Sequence, residues 1–206
     1  MANPSTDRIG CRCALAALAL LASLAGCSTP RTWPSLNADQ GVSADVPPLP
    51  QVVSVALNFA HDEANPTSAR IYNLPAQINV AAWDTFERGL AGWKPMCPGD
   101  TGVWTVRQVR IDGGVAQVDV DYPSREGVYK TLTVHLKGAS AGFEYKPDYV
   151  QHWMLAVKDP VCQQPLSVVE KACGAAAAEK LRAQREAAAP PRAQPAAAEA
   201  AQEPSK

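Results

Sequence analysis

The sequence predicts an α+β fold, with one helix laid on one face of an antiparallel sheet. Three observations lead there. Apolar residues step by three and four between Val80 and Trp93, which is helical spacing. Apolar and polar residues alternate in four segments between Val103 and Val157, each bounded by turn residues. A strand-like run, Gln51 to Ala60, stands before the helix. The expected order is strand, helix and four-stranded meander, then a C-terminal helix and a disordered tail.

Each element has its own warrant. In Gln51 to Ala60 (QVVSVALNFA), Val53, Val55, Leu57 and Phe59 fall on one face of a strand. His61 to Gln77 is polar and contains proline, and reads as a connection. Asn79 is placed to cap the helix, whose stripe is Val80, Trp83, Phe86, Leu90 and Trp93, with Asp84, Glu87 and Arg88 outside. Gly92 and Pro95 stop it. The first meander strand, Val103 to Ile111, loses its alternation near Arg107, which suggests a bulge. Asp112-Gly113-Gly114 is a hairpin signal. In Val115 to Tyr122, Ala116, Val118, Val120 and Tyr122 face in, while Gln117, Asp119 and Asp121 face out. Pro123 to Gly127 turns the chain. In Val128 to Leu136, Val128, Leu132, Val134 and Leu136 are expected inside. In Tyr149 to Val157 the expected inward set is Tyr149, Trp153, Leu155 and Val157. Pro165 opens a helix through Leu166, Val169 and Leu181, spanning residues 163–187.

The flanks read differently. Residues 27–50 hold Pro30, Pro34, Pro47, Pro48 and Pro50 with little apolar periodicity, and read as an extended tether of up to roughly 70 Å. Residues 188–206 are rich in Ala and Pro and read as a disordered tail. The globular domain is assigned to residues 51–162. The net charge of −1 comes from acids and bases mixed along the chain, and no Lys/Arg patch points to nucleic acid.

The element order resembles the cystatin-like class, which includes NTF2-like domains. That resemblance covers about residues 51–158 and implies the architecture. Cystatins inhibit cysteine proteases through a Gln-x-Val-x-Gly hairpin. Here the segment is Gln108-Val109-Arg110-Ile111-Asp112-Gly113, with Arg where Val belongs and the glycine late, so inhibition does not carry over. NTF2-like domains often hold a ligand between helix and sheet. Trp83, Phe86, Trp104 and Trp153 are the residues placed to line such a pocket, or to fill a core.

Leu24-Ala25-Gly26-Cys27 resembles a bacterial lipobox, [LVI]-[ASTVI]-[GAS]-Cys, at all four positions. Arg8 and Arg12 form a basic region before the apolar stretch Ala14 to Leu24, which is too short to span a bilayer. The resemblance implies that residues 1–26 are a signal peptide and that Cys27 carries lipid, diacylglycerol on sulfur and palmitate-like chains, which anchors the protein in the bilayer. Ser28 follows the cysteine in place of the aspartate that signals inner-membrane retention, which implies the outer membrane, facing the periplasm.

With Cys11 and Cys13 in the signal and Cys27 lipidated, Cys97, Cys162 and Cys173 remain. Cys162 and Cys173 are too far apart along a helix to bond. Cys97 and Cys162 flank the meander, whose geometry brings them to one end, so Cys97–Cys162 is the expected disulfide, with Cys97–Cys173 the alternative. His135 and His152 are expected outward on neighbouring strands with Asp119 and Asp121, a weak candidate set for Zn²⁺ against a solvated sheet face. The expectation is no metal, no cofactor and no catalytic residue. None of GxSxG, HExxH, a P-loop, GxGxxG or a mature CxxC occurs. Two classes of function remain: a non-catalytic binding or envelope-assembly lipoprotein with an envelope protein partner, or a small-ligand-binding or weakly enzymatic NTF2-like pocket.

Overall fold

A computed structural model describes residues 30–35, 41–44, 47–76, 78, 80–138 and 144–189. The lipobox region, the Asn79 cap and residues 190–206 lie outside them. The fold is α+β. In chain order the elements are β1 (Arg31–Trp33), α1 (Leu49–Ala64), β2 (Ile71–Asn73), α2 (Val80–Gly89), β3 (Lys94–Pro95), β4 (Val103–Asp112), β5 (Val115–Pro123), β6 (Tyr129–Gly138), β7 (Tyr145–Val157), α3 (Leu166–Cys173) and α4 (Ala175–Ala188).

The meander forms as expected. Gly113 and Gly114 make a two-residue loop that sets Asp112 against Val115, with Gly113 at φ +54°. The register slips between Val106 and Gln108, where the broken alternation predicted a bulge. Ala116, Val118, Val120 and Tyr122 face the core, as do Leu132, Val134 and Leu136. Val128 does not: it is exposed just ahead of β6. Tyr129 is buried in its place, and its hydroxyl accepts the Val103 amide at 3.0 Å.

The expected first strand is a helix. Its run satisfies both periods, since Val53, Val55, Leu57 and Phe59 alternate while Leu49, Val52, Val53, Ala56, Leu57 and Ala60 follow helical steps. The helical set is the one fully buried. Three features decide for the helix. No glycine or proline interrupts the chain between Pro50 and Asn65, alanine favours helix, and proline is tolerated in the first turn. Helices α1 and α2 approach closely. A Cβ on Gly89 would come within 3.3 Å of the Ser54 Cβ.

The connection between the helices contains a strand that sequence reasoning missed. Strand β2 runs parallel to both β3 and β4, so the sheet is mixed, in the order β3-β2-β4-β5-β6-β7. The proline-rich segment is likewise not free over its whole length. Strand β1 lies antiparallel to β4, with Arg31 opposite Ile111 and Trp33 opposite Val109, beyond the stretch of β4 that β2 occupies. Trp33 is only 2% exposed and stacks on Phe86 at 5.8 Å. The folded unit therefore includes residues that read as tether.

The single C-terminal helix is two, α3 and α4, broken at Gly174 with φ +90°. They enclose a second small core of Met96, Val103, Cys162, Val169, Ala178 and Leu181. Buried Asn73 ties this region to β2. Its amide donates to the Val161 carbonyl at 2.9 Å, and its oxygen accepts the Gln163 amide at 3.0 Å. The disulfide joins Cys97 to Cys173, Cα atoms 5.9 Å apart, and Cys162 is free and buried. The preferred pairing is thus corrected to its alternative. The meander does bring Cys162 near Cys97, since its thiol reaches the carbonyl of Met96. The fold of α3 back over β3, not visible in strand geometry alone, delivers Cys173 to the bond.

The bridge closes 76 residues, and such a loop stabilises by about 2–4 kcal/mol. Replacing both Cys97 and Cys173 by serine should lower the unfolding free energy by that amount in urea titrations. Replacing Cys162 by serine should leave the disulfide intact. An unchanged midpoint in the double variant would contradict the assignment.

Candidate interaction face

Strands β4 to β7 present a second, outer face, turned away from α1 and α2. Its charges are ordered by cross-strand register. The two-residue loop places Arg110 opposite Gln117, one diagonal step from Asp119. The Arg110 guanidinium donates to both Asp119 oxygens, at 2.7 and 2.9 Å, and also to Gln117 and Gln108. Thr133 donates to Asp119 at 2.6 Å from the next strand. Asp121 is held the same way, by Arg107 at 3.1 Å and Thr131 at 2.6 Å. Each carboxylate has a cation on one side and a hydroxyl on the other, so two otherwise costly acids sit low on a sheet surface with their lone pairs satisfied. Two shallow depressions of about 370 Å³ each share Asp119 and Thr131. One reaches Pro34 beyond β1, the other Trp153, Leu155 and Val157 on β7.

The apolar residues of β7 belong to this face, not to the core. Trp153 is 46% exposed and Leu155 74%, and Tyr149 is exposed beside them. The Trp153 indole donates to Thr133 Oγ1 at 2.9 Å, which fixes its face. Alternation says which residues share a face but not which face is buried. On this edge strand the positions toward the helices are instead Tyr145, which is buried, and Val150, which packs partly against the core. Between the pairs Leu132–His152 and Lys130–Ala156, four steps of β7 span two of β6. That irregularity bears Trp153, Met154 and Leu155, with Met154 87% exposed.

The proposed aromatic pocket residues are thereby separated. Trp83, Phe86 and Trp104 are buried in the core between helices and sheet, while Trp153 stands on the opposite side. Trp104 stacks on Tyr122 at 5.6 Å and meets Trp93 edge-on at 6.2 Å. His61, expected to open the connection after the first element, is buried in α1 against both Trp93 and Trp104.

The two candidate metal histidines are also parted. His135 is on the outer face, stacked on Tyr149 at 4.1 Å. His152 pairs with inward-facing Leu132, and its Nδ1 lies 3.3 Å from the Tyr122 hydroxyl. The error came from the same inverted face of β7. Among the described residues no group of three or more His, Cys, Asp or Glu is placed to hold a metal. The free thiol is a poor nucleophile. Burial pushes the Cys162 pKa up, against a smaller opposing pull from the Gln164 backbone and Arg185. Arg185 gives its guanidinium to the carbonyls of Gln164 and Cys162.

No protein-family model matches the sequence, no curated protein matches it, and no solved structure matches the fold. The chemistry of the face must therefore be read from its own residues. Sequence reasoning placed Asp119 and Asp121 outward but did not pair them. The signal was present in the Gly113-Gly114 loop, whose length sets the register that brings Arg110 to Asp119.

Asp119→Ala leaves Arg110 and Thr133 without their acceptor in a partly enclosed setting. A loss of about 1–3 kcal/mol in urea unfolding is expected, against under about 0.5 kcal/mol for exposed Arg125→Ala in the turn after β5. Equal effects would mean that the network carries no stability.

Proposed function

We propose that this protein is a lipid-anchored, non-catalytic binding or assembly module of the bacterial envelope, held in the membrane by acylated Cys27 and facing the periplasm, and that it meets an envelope protein through the outer sheet face and edge strand β7. The observation that supports this reading is the composition of that face. Arg110 with Asp119 and Arg107 with Asp121 neutralise one another in fixed geometry, which suits recognition. Beside them Tyr149, Trp153 and Leu155 hold apolar surface in solvent, the kind of side chain that anchors protein contacts.

Edge strands recruit partners in a known way. The outer edge of β7 is unpaired among the described residues, since β7 ends the sheet order. An extended segment of a partner can add there through main-chain hydrogen bonds, with alternate side chains reaching the outer face. The lipobox resemblance supplies the location, and its Ser28 favours the outer membrane.

A photo-crosslinking residue at Gln151 on β7 is expected to capture one specific envelope protein in intact cells. The same residue at Lys180 on α4 should not. Trp153→Ala should reduce the Gln151 adduct at least severalfold. Equal capture from both positions, insensitive to Trp153, would count against the outer face. Mass spectrometry of the Cys27 peptide tests the anchor separately, and an unmodified, uncleaved chain would refute it.

A further inference from the structure

The docking of β1 removes most of the length that the anchor would otherwise have. Only four residue steps separate Cys27 from Arg31, a reach of at most about 14 Å. Arg31 enters the sheet at a defined place. It pairs with Ile111, next to the Gly113-Gly114 loop. The end of β6 and the start of β7 lie at the same end, where the Gly138 amide donates to the Gly114 carbonyl at 2.6 Å and the Tyr145 hydroxyl to the Gly113 carbonyl at 2.9 Å. Met154, Leu155, Val157 and the Cys97–Cys173 disulfide lie toward the other end, with Val103 and Tyr129. Eight steps of β4 between Ile111 and Val103 span about 27 Å.

We propose that β1 is a clamp that holds the hairpin end of the sheet against the lipid surface and keeps the Met154 end away from it. This rests on the acylation of Cys27 proposed above and adds an orientation to it. The chain that could act as a leash is consumed by its pairing with β4 and by burial of Trp33 on Phe86. The opposite arrangement, with the outer face lying flat on the bilayer, would press the Arg110–Asp119 and Arg107–Asp121 pairs out of water, where their desolvation is costly. The occupant of the hairpin end is therefore lipid headgroup, and the apolar part of β7 is left facing the periplasmic space.

The test uses the full-length protein acylated in cells, purified and returned to phosphatidylethanolamine–phosphatidylglycerol vesicles containing a nitroxide headgroup lipid. A dye is attached through Val115→Cys, beside the hairpin loop, or Arg125→Cys, in the turn at the far end. The protein without an added cysteine gives the background from buried Cys162. Quenching at least threefold stronger at Val115→Cys than at Arg125→Cys is expected. Adding Trp33→Ala, which undocks β1, should bring the two sites toward equality. Equal quenching in the parent protein, with acylation of Cys27 verified by mass in the same sample, would overturn the clamp and leave the anchor standing. Absence of the acyl group would overturn both.

Discussion

Trp33 draws the segment ahead of α1 into the folded protein. Its burial against Phe86 fixes the short β1 beside β4, and β4 is the strand on which the sheet is organised. One edge of β4 is shared end to end by parallel β2 and antiparallel β1, and the other carries β5 and the rest of the meander. Three backbone pairs alone would not hold a terminal strand in water. Removal of a large indole from solvent, worth about 3 kcal/mol for a fully buried aromatic, makes the pairing persistent.

From that constraint the two faces of the sheet take different tasks. The inner face and helices α1 and α2 share an aromatic core that includes Trp83, Phe86 and Trp104. The outer face is a lattice of bidentate and diagonal charge pairs, set by a two-residue hairpin and extended across three strands. The disulfide and the Asn73 hydrogen bonds then fasten the C-terminal helices to the far end, where chain topology alone would leave them loosely attached.

The legible parts of the sequence were those where one period dominates. The meander and its hairpin loop rest on clean alternation interrupted by glycine or proline, its bulge on the lapse of that alternation at Arg107, and α2 on an unambiguous stripe. The run from Gln51 to Ala60 failed because valine, leucine and phenylalanine there satisfy both periods, and what decides for the helix is weaker than a period: two alanines, a proline in the first turn and an uninterrupted chain up to Asn65. Strand β7 failed differently. Its alternation is real, but an edge strand can turn its larger apolar side chains outward, and that inversion carried Trp153 out of the pocket and His152 out of the metal set. Strands β1 and β2 were invisible because three residues carry no period. The disulfide partner depended on the break at Gly174 and the path of α3, which no spacing of cysteines reveals.

The claim that Arg31 to Trp33 belong to the folded domain is tested most directly by native-state amide hydrogen exchange over residues 31–33. Pairing with β4 and burial of Trp33 predict protection of the same order as that of Val109 and Ile111 opposite them. Exchange of the whole segment at the rate of an unstructured peptide, while β4 remains protected, would contradict it and restore the long tether.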